Sequence, residues 1–147
     1  VALVSADEPW PDVGRAVATR VAAGAADLGV VCCFTGTGAS IAANKVAGVR
    51  AALCTDAETA RGARRWNDAN VVALSLRLTT ETLAAEILDA FCETGPDPDE
   101  ETVIARVEAV ADGDEETVIA RVEAVADGDE EPVIARVEAV ADGEPVP

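Results

Sequence analysis

"GVVCCFTGTGASIAANK", residues 29–45, decides the fold. With Leu28 and Phe34 it opens as an uncharged apolar run, residues 28–34, too short for a helix and apolar on both faces. That is the signature of a buried strand. A glycine–threonine turn follows, and then small residues with helical character from Ser40 to Val46, closed by Gly48. Strand, glycine turn and helix in that order form one unit of an α/β sheet.

Working outward, the same alternation recurs. "VRAALC" (49–54) and "NVVALSL" (70–76) read as two further buried strands. Between them "DAETARGARRWND" reads as a helix capped by Thr55 or Asp56. Upstream, helical spacing covers 13–26, with Pro9 and Pro11 placing "ADEPWPD" in a turn and Asp12 as cap. Val1–Ser5 reads as a short strand. Downstream, Thr79 or Thr80 caps a helix reaching about Phe91, and "ETGPDPD" breaks the chain. The expected architecture is α/β, a three-layer, Rossmann-like, mostly parallel sheet with helices on both faces. Its domain spans 1–95, and an acidic tail spans 96–147.

The tail is an internal repeat. "DEETVIARVEAVADG" fills 99–113, recurs unchanged at 114–128, and returns at 129–143 with Pro132 in place of Thr. In each unit the apolar positions, such as Val103, Ile104, Val107, Val110 and Ala111, make one helical stripe, and Asp-Gly ends it. Three short amphipathic helices are therefore expected, each in need of a partner surface. The tail also carries the charge. Of the net −17, residues 93–147 contribute −15 and residues 1–92 only −2. Such a tail repels nucleic acid and anionic membrane surfaces, so neither is expected as a partner. No run reaches the length of a membrane span and no signal pattern opens the chain, so a cytoplasmic place is expected.

The chain has 147 residues, four cysteines and no histidine. None of the cysteines is spaced C-x-x-C, so neither a metal nor another cofactor is expected. Adjacent Cys32 and Cys33 point to opposite faces of a strand. Cys32, Cys54 and Cys92 read as core residues. Cys33 closes the strand where the turn begins. There the loop N–H groups and the helix N-terminus lower a thiol pKa and favour thiolate. The other reading of Cys33 is a small buried hydrophobe.

Several ordered motifs, "CFTGTGASIAANK", "GVRAALC" and "WNDANVVAL", together with "WPDVGRAVATRVAAGAADLG" upstream, resemble the sugar-phosphate isomerase family. That family includes ribose-5-phosphate isomerase B and the galactose-6-phosphate isomerase subunits. The likeness runs from residue 1 to about 92, and "VIARVEAV" resembles the family's terminal helix. It implies an aldose–ketose isomerisation of a pentose or tetrose phosphate through an enediolate. Cys33 matches the base, and Thr35 a hydroxyl that helps move a proton between oxygens. The loop at Thr35, Gly36, Thr37 and Gly38 matches the oxyanion hole. Ser40 and Asn67 match substrate contacts, and Arg77 and Arg106 match phosphate contacts, Arg121 and Arg136 being the repeat equivalents of Arg106. A homodimer or higher homo-oligomer is implied, because sites in the family lie between subunits.

Three departures accompany the resemblance. Trp66 stands where the family has a ring-opening His, Phe34 stands where many members have Gly, and the opening strand with its Asp-His pair is absent. The first favours open-chain substrates. The last leaves a first strand and helix expected but missing. A catalytically impaired sugar-phosphate-binding module is the alternative reading, and a structural role for the acidic repeats is a third.

Overall fold

The computed structural model describes residues 7–111, 119–125 and 134–140. The chain divides into two compact units, residues 1–112 and 113–147. The stretch Val1–Ser5, expected as a strand, lies outside the described residues.

The first unit is built on three parallel strands: β1 (Gly29–Cys33), β2 (Ala51–Leu53) and β3 (Val71–Ser75), in the order β1-β3-β2. The central β3 is buried along its whole length, which its apolar run, residues 71–74, permits and the hydrogen-bonded Ser75 hydroxyl tolerates. Its side chains divide by parity. Val71 and Ala73 join Val17, Ala18 and Val21 of α1 (Trp10–Ala22) and Ala39 and Ala43 of α2 (Thr37–Ala43). Val72 and Leu74 join Ala60 and Ala63 of α3 (Ala57–Asn67) and Ile87, Ala90 and Phe91 of α4 (Glu81–Glu93). The three layers expected from the alternation are thus present, with small residues letting the helices approach the sheet closely.

Several boundaries shift for identifiable reasons. The first helix starts at Trp10, not near Val13, with Pro9 as its N-cap and Pro11 in its first turn. Proline lacks an N–H, but the first turn has no partner for one, so it initiates here where it would break a helix interior. Asp12 is therefore inside the helix, and it pairs with Arg15 at 3.0 Å. The second helix starts at Thr37 rather than Ser40, directly after Gly36, whose φ of +79° turns the chain out of the strand. Asp56 and Thr80 are the caps of α3 and α4, accepting from the N–H of Thr59 and Leu83 respectively.

Two of the four thiols do not lie where expected. Cys32 is exposed, not core. β1 is an edge strand, and the α3/α4 layer packs over β3, so the outward positions Val30 and Cys32 stay uncovered among the described residues. Cys92 is also exposed. α4 turns Ile87, Ala90 and Phe91 inward, and the next position falls on its outer face. Cys54 is buried as expected, and burial with nearby Asp56 pushes its thiol up to about 11.

The other sheet edge is occupied by a side chain. The Asn44 amide accepts from the Ala51 N–H at 2.7 Å and donates to the Ala51 carbonyl at 2.8 Å, and the Ser40 hydroxyl adds a bond to the same carbonyl at 3.3 Å. At the start of β2, Arg50 pairs with Asp68 at 3.0 Å and with Glu108. Arg64 reaches the same Asp68 at 2.8 Å and lies over the Phe91 ring. Asp68 holds a left-handed φ of 42° at the end of α3, and the two guanidiniums fix it there.

The first repeat follows expectation, as α5 (Glu101–Ala111) behind a short 3-10 turn. Its Glu108 pairs with Arg50, and the first compact unit runs to residue 112. The second and third repeats do not follow. They are strands, β4 (Ile119–Val125) and β5 (Ile134–Val140), paired antiparallel. "IARVEAV" satisfies both periods: it has apolar residues at three-residue spacing, and it also splits into alternating sets. The register sets position 121 opposite 138 and position 123 opposite 136.

Phe91 and Cys92 are adjacent on α4 but differ in burial, which gives a direct check. Phe91→Ala should lower unfolding free energy by about 3–5 kcal/mol, whereas Cys92→Ala should change it by less than ~0.5 kcal/mol, both read from denaturant melts.

Candidate active site

The carboxyl ends of β1 and β3 meet at Cys33. Pairing in register continues past the strands: the Leu76 N–H donates to the Cys33 carbonyl at 3.0 Å and the Arg77 N–H to the Phe34 carbonyl at 3.2 Å. The Ser75 hydroxyl, the one buried polar side chain of the described core, donates to the same Phe34 carbonyl at 3.1 Å. These bonds hold the start of the loop rigidly on the central strand. Gly36 then takes its positive φ in a space with no room for a side chain. A Cβ there would sit 2.5 Å from Leu53 Cδ1 and 3.0 Å from the Leu74 backbone.

This turn folds the next amides back over Cys33. Its thiol is subject to some desolvation, which raises its pKa, but N–H groups of Ala39, Gly36, Thr35 and Gly38 point at the sulfur, and the net shift is downward. Three of these donors lie in the expected loop. Ala39 was not foreseen, although its position signals it: it falls in the first turn of α2, where amides have no partner within the helix. Cys32 next door shifts the opposite way, raised by partial desolvation of its sulfur against the sheet, although the residue is exposed, and by the Cys33 charge. Two adjacent thiols are thus made chemically unequal.

The Thr35 and Thr37 hydroxyls are hydrogen-bonded to each other at 2.7 Å. Arg77 is exposed beside the loop, and no ion pair engages its guanidinium among the described residues. Cys33, Thr35, Gly36, Thr37, Gly38 and Arg77 therefore gather at one end of the sheet. A thiol with a lowered pKa, convergent amides, two hydroxyls and a guanidinium with no ion pair among the described residues make a site suited to proton abstraction from a substrate that bears an anionic group.

The remaining candidates lie elsewhere. Ser40 turns toward β2 and donates to Ala51. Asn67 ends α3, which runs back along the sheet. Its neighbour Asp68 binds Arg50, just before β2, and the Asn70 carbonyl accepts from the first amide of β1. Asn67 is thus at the amino ends of the strands, with a five-residue β1 of about 16 Å separating that end from Cys33. There it lines a cavity of about 720 Å³ with Lys45, Arg50, Trp66, Val107 and Glu108. Arg106 is exposed on α5. Trp66 stands 55% exposed, its ring against Gly62.

Among the described residues no three His, Cys, Asp or Glu side chains gather as metal ligands, and no helix is long and apolar enough to cross a membrane.

The sequence model of the Ribose/Galactose Isomerase family matches residues 3–110. The galactose-6-phosphate isomerase subunit LacB of Clostridium acetobutylicum is 48% identical over 92 residues, covering 63% of this chain and 53% of the relative. Ribose-5-phosphate isomerase B of Escherichia coli is 44% identical over 82 residues, covering 56% and 55%. The D-erythrulose-4-phosphate isomerase of Pectobacterium atrosepticum is 42% identical over 84 residues, covering 57% and 55%. The chain thus spans about half the length of these curated relatives. Among solved structures, ribose-5-phosphate isomerase B of Clostridium thermocellum superposes with a TM-score of 0.69 at 40% identity, covering 71% of this chain and 72% of that one.

The inequality of the thiols is measurable. At neutral pH iodoacetamide should label Cys33 before Cys32 and Cys54, read by peptide mass spectrometry. The Cys33 rate should rise with pH through a midpoint below that of an ordinary thiol, since the thiolate is the reacting form and its pKa is lowered. Equal rates at Cys32 and Cys33 would remove the amide cradle as a working feature.

Proposed function

This chain belongs to the Ribose/Galactose Isomerase family, and on that premise we propose that it interconverts aldose and ketose forms of a sugar phosphate with Cys33 as the base. The observation that carries the reading is the convergence of loop amides on the Cys33 sulfur. The thiolate takes the proton from the carbon beside the carbonyl. The electron pair moves onto the carbonyl oxygen, and the resulting enediolate is stabilised by amides already pointing into that space. The Thr35 hydroxyl, linked to Thr37, transfers a proton between the two oxygens. The Cys33 thiol returns its proton to the neighbouring carbon, and the thiolate is restored. Arg77 takes the phosphate as a charge-assisted contact.

Trp66 supplies no acid to open a sugar ring, so the substrate class is an open-chain sugar phosphate, a tetrose phosphate before a pentose phosphate. The similarity to a relative named D-erythrulose-4-phosphate isomerase supports that order. Asn67 and Arg106 are separated from Cys33 within one chain. Their assignment as substrate and phosphate contacts therefore goes with a homodimer or higher homo-oligomer, in which one copy's loop meets the opposite end of another copy's sheet. Ser40 acts behind the loop by holding α2 to β2. The place of action is cytoplasmic.

The second reading, a sugar-phosphate-binding module with impaired chemistry, is favoured by Trp66, which stands where the resemblance implies a ring-opening acid. One experiment separates the two. Isomerase activity on erythrulose 4-phosphate and ribose 5-phosphate should fall at least ~100-fold in Cys33→Ala, with binding heat retained. Binding heat without deuterium uptake at C2 of the aldose in deuterated water would favour the impaired module, and turnover that survives Cys33→Ala would remove Cys33 as base.

A further inference from the structure

The loop has an aromatic neighbour at the head of the upstream motif. A Cβ built on Gly38 would lie 3.0–3.1 Å from three carbons of the six-membered ring of Trp10. The indole therefore rests on Gly38, whose own N–H points at the Cys33 sulfur. One glycine separates the aromatic ring from the amide cradle. Half of Trp10 is nonetheless exposed, and Phe34, directly after Cys33, is 71% exposed. The whole chain has only two Trp and two Phe, so half its aromatic residues stand open at this one end of the sheet.

The backbone around Trp10 is also constrained. Pro9 is the N-cap and Pro11 lies in the first turn of α1, so the residue between them has little freedom to lose on meeting a ligand. A large apolar face, held in place at low entropic cost and bordering a charge-stabilising loop, favours a ligand that lays carbon against it.

We propose that Trp10 is a substrate-contacting wall of the Cys33 site, packing on the carbon chain of the sugar phosphate and disfavouring chains longer than four carbons. The inference rests on the isomerase reading above and adds a specificity residue to it. Gly38 is then needed twice, for its amide and for the space that seats the indole.

Tryptophan emission offers the test, because the chain has only Trp10 and Trp66. In the full chain carrying Trp66→Phe, Trp10 is the sole tryptophan. Titration with erythrulose 4-phosphate should shift its emission with the same midpoint as the binding heat measured on that variant. Trp10→Ala should raise KM for erythrulose 4-phosphate roughly tenfold with kcat altered less than ~3-fold, and should move the kcat/KM ratio toward ribose 5-phosphate. Trp10→Phe, which keeps an aromatic face, should restore most of the loss and serves if the alanine variant does not fold. Binding heat with unchanged Trp10 emission, and KM unchanged in both variants, would overturn the wall and leave the isomerase reading standing. Absence of binding heat with either sugar phosphate would overturn both.

Discussion

The pairing of β1 with β3 is the constraint on which the rest depends. It sets Cys33 opposite Ser75, and it delivers the carbonyls of Cys33 and Phe34 to the amides of Leu76 and Arg77. With those carbonyls fixed, the chain can leave the strand in only one direction, and the left-handed Gly36 turns it back over its own thiol. The electrostatics of Cys33 are therefore a product of sheet register. A one-residue slip of β1 would exchange the faces of Cys32 and Cys33 and empty the cradle.

What the sequence could reveal follows from where the information resides. β3 is apolar from Val71 to Leu74, and such a strand has to be covered on both faces, so the three layers were legible. The glycine turn and the downward shift of Cys33 were legible too, because both arise from neighbours within six residues. The fates of Cys32 and Cys92 were not. Residue type says that a thiol tolerates burial, but not that β1 would be an edge strand or that α4 would turn its Cys92 side outward. Proline breaks a helix interior but not a first turn, so the start of the first helix is not legible from Pro9 and Pro11 alone.

The separation of Asn67 and Arg106 from Cys33 was equally hidden. Both lie on helices, α3 and α5, and no local pattern states which end of a sheet a helix returns to. Trp10 went unremarked because its meaning depends on Gly38, twenty-eight positions away. The repeats show the converse limit. One heptapeptide, "IARVEAV", is helical where Glu108 meets Arg50 and a strand at its two later occurrences. Its periodicity is compatible with both, so surroundings decide.

The Asn44 amide at the edge of β2 has a wider consequence. By taking the N–H and carbonyl of Ala51, it acts as a one-residue stand-in for a missing strand and blunts that side of the sheet against recruitment of another. On the opposite side β1 carries no charge and no proline from Gly29 to Phe34, so nothing in its sequence resists pairing. Among the described residues, then, one border of the sheet is closed to a neighbour by a single side chain, and the other has no such device.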